Sequence, residues 1–211
     1  MRKPRTGPVI AGLALAGLAA GAQAQTIGFD DMSAGAAPAG WTCGSTGGGA
    51  PRWSVEADAG AVSPPNVLKQ SGVAPFPWCV KQGVSFADGA VEVTFKSLAG
   101  REDQAGGVMW RWKDGDTYYV ARANALENNV SLYYTLRGER HTIAYVDAPV
   151  AGNVWHTLRA EFKGSRIRIL LDGKAYIDRD DGHIAGAGAV GVWTKADSVT
   201  AFDDFRYESA P

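Results

Sequence analysis

The sequence of 211 residues contains only two cysteines and three histidines, and it lacks several motifs that mark common catalytic sites. No His-Glu-x-x-His or Gly-Lys-Ser/Thr pattern occurs, which excludes the usual zinc-peptidase helix and the phosphate-binding loop. Gly44-Ser45 has no Gly-x-Ser-x-Gly frame, so a nucleophile elbow is excluded as well. His141, His156 and His183 are scattered singly through the chain.

Long apolar runs are also missing. The one marked run, 9–20, follows a basic start at 2–5 and precedes the small-x-small tripeptide Ala-Gln-Ala at 22–24. That order is typical of a secretory signal peptide, and the run is too short to cross a bilayer. The sequence therefore predicts a signal peptide at 1–24 and one folded domain at 25–211. We expect the mature protein in the periplasm or secreted, and not embedded in a membrane.

An excess of basic residues is absent too. The whole chain carries a net charge of −1, and loss of the three basic residues of the leader changes it to −4. Proteins that bind nucleic acid usually need a basic face, because they displace counterions from phosphate. Nucleic acid is therefore not an expected partner.

The two cysteines, Cys43 and Cys79, both lie in the predicted mature chain. Export would place them where a disulfide persists. In the chain-entropy model, a closed loop of this length stabilises the fold by about 4 kcal/mol. We expect a structural disulfide, with two free thiols or half of a metal site as the alternatives.

No stretch of a dozen residues shows the apolar period of an amphipathic helix, whereas short β-rich runs alternate with Gly, Pro, Asn and Asp. About a dozen such runs predict an all-β, two-sheet antiparallel sandwich. The stronger predicted strands are 90–97, 106–112, 117–124, 129–136, 139–146, 154–162, 165–171, 189–195 and 199–207. The weaker ones are 27–30, 52–56 and 66–70.

Three successive strands between 106 and 136 have a second face that is neither plainly apolar nor plainly charged. Because side chains alternate between the two faces of a strand, the pattern collects several polar and aromatic residues on one face. These residues are Arg111, Tyr118, Arg122, Asn124 and Tyr133. The pattern predicts a shared hollow on that side of the sheet.

Such a face suits a sugar. A sugar ring has an apolar patch of C–H groups that Tyr or Trp can cover, and its hydroxyls pair with amides, Arg and carboxylates. The alternative interpretation is that these residues form the polar exterior of a sheet, with Tyr favoured by its β propensity.

Five segments, taken in order, carry a resemblance to a known superfamily. They read DQAGGVMWR at 103–111, DTYYVARANALE at 116–127, WHTLR at 155–159, LDG at 171–173 and GAVGVWTKAD at 188–197. This order resembles the concanavalin A-like lectin/glucanase superfamily, and most closely its 3-keto-disaccharide hydrolase domain family and laminin G-like jelly rolls. The resemblance covers most of 29–207 and implies a jelly roll whose concave sheet carries the ligand.

The resemblance also raises the possibility of catalytic activity. Glucanases of the superfamily use Glu-x-Asp-x-x-Glu on one strand, and no such triplet occurs here. A keto-sugar eliminase would instead need a base and an electrostatic partner for the keto oxygen. Glu127, Asp103 and Asp197 are the candidate bases, with Arg111, Arg122 or Lys195 as partners. The alternative is that these charges only neutralise one another.

Calcium is a further expectation that the resemblance suggests. Asp30 near the first strand and Asp203 in the last are placed like the carboxylates of calcium sites that join the terminal strands of related modules. Calcium takes six to eight oxygen ligands, which clustered carboxylates and loop carbonyls can supply. The alternative is that these aspartates cap or charge an edge strand, and no cofactor is required in either case.

Three functions follow as hypotheses. The first is an exported jelly roll that binds a carbohydrate on its concave face. The second is a 3-keto-glycoside hydrolase or lyase that uses the same face. The third is a laminin G-like module that binds a protein through its loops, and the sequence indicates no oligomeric state. The expected ligand contacts are Arg111, Tyr118, Arg122, Asn124, Tyr133, Trp193 and Lys195, together with Glu127.

Overall fold

The computed structural model describes residues 24–210, and in this range the chain forms fifteen strands and no helix. The predicted signal peptide therefore lies outside the described residues, except for Ala24. The strands are β1 (Gln25–Ile27), β2 (Trp41–Thr46), β3 (Trp53–Ala57), β4 (Asn66–Gln70), β5 (Phe76–Lys81), β6 (Gly89–Ala99), β7 (Ala105–Asp114), β8 (Thr117–Asn124), β9 (Asn129–Leu136), β10 (Glu139–Asp147), β11 (Trp155–Lys163), β12 (Arg166–Leu171), β13 (Lys174–Asp180), β14 (Ala189–Trp193) and β15 (Val199–Ser209). Within 24–210, no helix is long and apolar enough to cross a membrane.

The strands form two antiparallel sheets that pack face to face. The back sheet has the order β13-β12-β11-β6-β15-β4-β3, with β1 paired to β15. The front sheet has the order β10-β9-β8-β7-β14-β5-β2. Neighbours that are distant in sequence, such as β6 beside β15 and β7 beside β14, make this a jelly roll. The predicted all-β sandwich is confirmed.

The main core lies between the two sheets and follows the alternation of the strands. In β11, Leu158, Ala160 and Phe162 point inward, and in β8 Tyr119 and Ala121 do the same. All five are essentially inaccessible to solvent. Each large apolar side chain buried in this way stabilises the fold by about 1.5–3 kcal/mol, so the core fixes which face of each strand looks outward.

The predicted disulfide is present. Cys43 of β2 and Cys79 of β5 are directly opposite each other in the register of the front sheet, and their sulfur atoms are bonded. The bond therefore joins the last two strands of that sheet.

A bulge in β7 corrects the predicted position of Arg111. The pairing of β7 with β8 shifts register after Trp110, and Arg111 has a φ of 47°. The alternation predicted Arg111 on the outer face, which would place the next residue, Trp112, on the inner face, but the extra backbone length reverses both. Arg111 turns toward the sandwich edge, whereas Trp112 lies on the outer face against Trp78.

Arg111 joins three loops at that edge. Its Nε donates to the carbonyl of Ala87 at 3.0 Å, and its Nη1 donates to the carbonyl of Ile184 at 3.0 Å. Its Nη2 donates to the carbonyl of Gly164 at 2.7 Å and pairs with Asp88 at 3.3 Å. Arg111 is 3% exposed and is held inside the fold. It therefore does not lie with Arg122 on the concave face.

The front sheet curls strongly about its outer side. Thr46 of β2 hydrogen-bonds the hydroxyl of Tyr118 of β8 at 2.8 Å, although β5, β14 and β7 lie between these strands in the sheet. The Thr46 hydroxyl also donates to the carbonyl of Gly115, in the turn between β7 and β8. The curl makes this outer face concave and brings its two sides into contact.

Candidate functional site

The concave face of the front sheet carries a hydrophobic cluster of its own, separate from the main core. We call it the front cluster; it consists of Trp78, Val80, Met109, Tyr118, Val120, Tyr133 and Trp193. The three predicted contact residues in it, Tyr118, Tyr133 and Trp193, have 0%, 3% and 0% exposure. They lie on the predicted face, but other side chains cover them.

A thinner outer layer covers the front cluster. Phe76 stacks on Trp193, with ring centroids 5.8 Å apart. The guanidinium carbon of Arg140 lies 4.7 Å from the Phe76 ring centroid and 4.3 Å from that of Tyr133. Both Phe76 and Arg140 are partly exposed. We call the rings of Phe76, Tyr133 and Trp193 the aromatic floor, because Arg140 rests on all three.

A buried polar network borders the aromatic floor. Its centre is Asp103, which is fully buried. The carboxylate of Asp103 accepts hydrogen bonds from Arg122 Nη1 at 3.0 Å, Asn124 Nδ2 at 2.6 Å and Lys195 Nζ at 2.5 Å. These residues come from β8, from the loop before β7 and from the turn after β14. Four of the predicted site residues are therefore brought together.

Glu127 connects this network to solvent. It accepts hydrogen bonds from Arg122, from Asn129 Nδ2 at 2.7 Å and from the Tyr145 hydroxyl at 3.4 Å. Its side chain is 34% exposed. Burial raises the pKa of Glu127, but the hydrogen bond from Asn129 and the charges of Arg122 and Lys195 outweigh it, so the pKa lies below its ordinary value. Glu127 therefore stays ionised.

Arg122 lies on the concave side of the front sheet, and not between the two sheets. It is 2% exposed, because Asp103, Glu127 and the ring of Tyr133 surround its guanidinium. The predicted side is correct, whereas direct access to Arg122 from solvent is small. We name Asp103, Arg122, Asn124, Glu127 and Lys195 the polar network.

Asp197 has a structural role at the border of this region. Its carboxylate accepts hydrogen bonds from the backbone N–H groups of Arg101, Glu102 and Asp103, at 2.7, 3.0 and 3.1 Å. Burial opposes ionisation, but these bonds dominate and lower the pKa of Asp197. The residue shapes the loop that carries Asp103, which explains its position without a role as a base.

The two aspartates of the predicted calcium site are held by hydrogen bonds. Asp203 accepts from the Ser63 N–H at 2.8 Å and the Ser63 hydroxyl at 2.9 Å, one on each carboxylate oxygen. Asp30 accepts from the N–H of Asn66 at 3.0 Å. Among the described residues, no group of three or more His, Cys, Asp and Glu side chains is placed to hold a metal ion. These contacts do not fit a ready calcium cage, and calcium binding stays a prediction.

The alternation of the strands did not identify several residues of the concave face. Phe76 and Trp78 belong to β5, where Pro77 obscures the strand pattern. Arg140 and Tyr145 belong to β10, which was predicted as a strand, but a register shift between Thr142 and Ala144 disrupts its alternation. The sequence of β10 therefore does not show which of its polar residues lie on the concave face.

The arrangement can bind a polar ligand that also has an apolar surface. Around the polar network, Glu127 and Tyr145 offer an exposed carboxylate and hydroxyl, and Lys195 offers a partly exposed ammonium group. Phe76 adds a partly exposed aromatic ring to the same face. Acceptors, donors and an aromatic surface lie side by side, which is the combination that a hydroxylated ring requires.

Comparisons with known proteins agree with this geometry at the level of fold. No family model matches the chain. A levanase from Bacillus subtilis is 30% identical over 120 residues, which is 56% of this chain and 17% of the levanase. The chain thus matches about one sixth of the length of that relative.

Two solved structures share the architecture. The carbohydrate-binding module CBM66 from Bacillus subtilis superposes with a TM-score of 0.65 and 22% identity, covering 79% of this chain and 94% of the module. The β-glucanase of Bacillus licheniformis superposes with a TM-score of 0.59 and 14% identity, covering 92% of this chain and all of that one. The chain therefore has the concanavalin A-like jelly-roll fold, as the resemblance implied. The nearer likeness to the 3-keto-disaccharide hydrolase domain stays a prediction.

Proposed function

We propose that the chain is an exported carbohydrate-binding module that binds a saccharide on the concave face of its front sheet. The observation that carries the proposal is the contact between two unlike surfaces. The polar network meets the aromatic floor where the guanidinium carbon of Arg122 lies 5.7 Å from the ring centroid of Tyr133. Glu127 and Tyr145 are the exposed end of this polar region, and Phe76 is the partly exposed ring of the floor. A saccharide can place a C–H patch on the exposed part of the Phe76 ring while its hydroxyls pair with the carboxylate and the phenol.

The fixed charges support binding without large rearrangement. Arg122 and Asn129 hold the carboxylate of Glu127 in place, so the acceptor is oriented before a ligand arrives. A preorganised acceptor loses less conformational entropy on binding than a free side chain does. Lys195 is a donor that is likewise oriented before a ligand binds, because its ammonium group pairs with Asp103.

The similar proteins suggest which saccharides to assay first. The relatives include a levanase, a β-glucanase and a carbohydrate-binding module. Levan and a soluble β-glucan are therefore the first ligands to assay. We propose no preference between them, because the shared fold hosts binding modules and hydrolases alike.

The test is titration calorimetry of the purified protein with levan and with β-glucan oligosaccharides. Glu127→Gln and Tyr145→Phe should each weaken binding by about tenfold, as expected for the loss of one hydrogen bond involving a charged group. Glu139→Gln is the matched control, because Glu139 lies at the far end of β10 and its side chain is 82% exposed. Binding that is unchanged in both site variants would remove the concave face from consideration.

A hydrolase or lyase of 3-keto-glycosides is the second function that this face could support. Of the three candidate bases, Glu127 has the greatest access, since Asp103 is fully buried and Asp197 binds three backbone N–H groups. A lowered pKa makes Glu127 a weak base, which favours binding over catalysis. Cleavage of a 3-keto-glycoside that disappears in Glu127→Ala would reverse this preference.

A further inference from the structure

Arg140 differs from the other two cations of the concave face in having no carboxylate partner. Arg122 pairs with Asp103 and Glu127, and Lys195 pairs with Asp103. Among residues 24–210, no ion pair includes Arg140. Its Nη1 is buried and has no hydrogen-bond acceptor there. Three cations thus share two carboxylates, which leaves one positive charge uncompensated.

Arg140 packs against three aromatic rings of the front sheet. Its guanidinium carbon lies 4.3 Å from the ring centroid of Tyr133, 4.7 Å from Phe76 and 5.9 Å from Trp193. The side chain therefore covers the aromatic floor and lies beside the partly exposed ring of Phe76, the member of the floor that a ligand can reach. Cation–π contact compensates part of the cost of removing the guanidinium from water, but it leaves the planar N–H groups without acceptors.

Other unpaired donors are found on the same face. Nine buried side-chain nitrogen or oxygen atoms of the described chain have no hydrogen-bond partner. Six of them lie on the concave side: the indole N–H groups of Trp78, Trp112 and Trp193, together with Arg122 Nε, Thr135 Oγ1 and Arg140 Nη1. Five of these six can only donate, so this side of the sheet has a surplus of donors over acceptors.

We infer that the saccharide bound by this face carries an acidic group, and that Arg140 binds that group. The inference rests on the proposed carbohydrate-binding function and narrows its ligand class. A carboxylate matches the planar fork of a guanidinium with two parallel hydrogen bonds, and it supplies the acceptors and the negative charge that the face lacks. A uronic acid residue offers that carboxylate on the rim of its sugar ring. A sulfate ester offers the same chemistry from a second source.

The test compares an acidic saccharide with its neutral ester, alongside a sulfated and a neutral saccharide. Titrations use an oligogalacturonate, its methyl ester of equal length, a sulfated oligosaccharide and a neutral levan oligosaccharide. We expect an acidic ligand to bind at least about tenfold more tightly than its neutral counterpart, as for one charge-assisted pair. Raising sodium chloride from about 0.05 M to about 0.5 M should reduce this advantage by screening.

Variants of Arg140 test whether this residue causes the tighter binding of the acidic ligand. Arg140→Gln should abolish the advantage of the acidic ligand, and Arg140→Lys should retain part of it, because an ammonium group keeps the charge but not the fork. Arg179→Gln is the control, since Arg179 is exposed on β13 of the back sheet. Thermal unfolding of each variant establishes that it is folded before binding is compared.

The outcomes separate the two proposals. Equal affinity for the acid and its ester, or an Arg140→Gln variant that binds the acid as the original protein does, overturns the acidic ligand. Binding of levan alone, weakened by Glu127→Gln, overturns it too while the carbohydrate-binding function stands. Binding of the sulfated ligand alone supports an acidic ligand with sulfate as its source. No binding of any of the four saccharides counts against both proposals.

Discussion

Arg122 donates a hydrogen bond to Asp103 across 3.0 Å, and the two side chains are only 2% and 0% exposed. A buried ion pair adds little net stability, since desolvation offsets the attraction, but removal of one partner leaves the other charge buried and unpaired. The pair therefore shapes the concave face more than it stabilises the whole fold. Removal of either partner should therefore lower the free energy of unfolding by more than the intact pair adds to it.

Asp103→Ala should lower the free energy of unfolding by about 3–5 kcal/mol, because Arg122 loses its buried carboxylate and Lys195 loses its anchor. Urea denaturation checks the value. Asp178→Ala is the control: its pair with Arg166 is exposed at both ends, and such pairs contribute about 0–1 kcal/mol. An Asp103 variant as stable as this control would show that the polar network does not hold the loop before β7.

Arg111→Ala should destabilise the protein by about 3 kcal/mol without weakening saccharide binding. The reason is that four buried or partly buried hydrogen bonds to three loops are lost, all of them away from Glu127 and Tyr145. Unfolding and ligand titration are measured on the same preparation. A folded Arg111→Ala variant with much weaker binding would restore this residue to the ligand contacts that the sequence suggested.

Glu127 should make part of the stability depend on pH in the acid range. Its pKa is lower in the folded protein than in the unfolded chain, so its contribution is present above the ordinary glutamate pKa and is lost as pH falls through the folded value. The difference in unfolding free energy between the original protein and Glu127→Gln should therefore shrink as pH falls from about 6 to about 3. A constant difference across that range would contradict the lowered pKa.

Asp203 should show the opposite sign, and it also bears on calcium. Burial above all raises the pKa of Asp203, so its contribution is greatest at low pH and declines as pH rises through the folded value. Ser63 already hydrogen-bonds both of its carboxylate oxygens. The same melting temperature in EDTA and in millimolar calcium would contradict the predicted metal site. A calcium-dependent rise that disappears in Asp30→Asn would instead support the predicted metal site.

The alternation of side chains predicted the faces of β8 and β9 because neither strand contains an irregularity. Thr117–Asn124 and Asn129–Leu136 were predicted with the bounds that the structure has. Arg122 and Tyr133 accordingly lie on the expected side. The alternation of side chains predicts the two faces of a strand correctly where no bulge interrupts the strand.

The errors have identifiable physical causes. A positive φ at Arg111, a residue type that rarely adopts it, reverses the faces of Arg111 and Trp112, and no local signal in the sequence announces it. The burial of Tyr118 was equally hidden, because it depends on Thr46, a partner 72 residues away in sequence. Whether a side chain on the outer face is buried depends on the curvature of the whole sheet, and the sequence of its own strand does not show this.

The pairing of β1 with β15 brings Gln25 opposite Tyr207, so the two extremes of the described chain are neighbours on the back sheet. A surface tether, fluorophore or fusion partner attached near either extreme would therefore start from the same side of the molecule. The concave face belongs to the other sheet, so an attachment at either extreme starts from a sheet that does not carry that face. Immobilisation through either extreme should therefore have the same effect on the binding of polymers to the concave face.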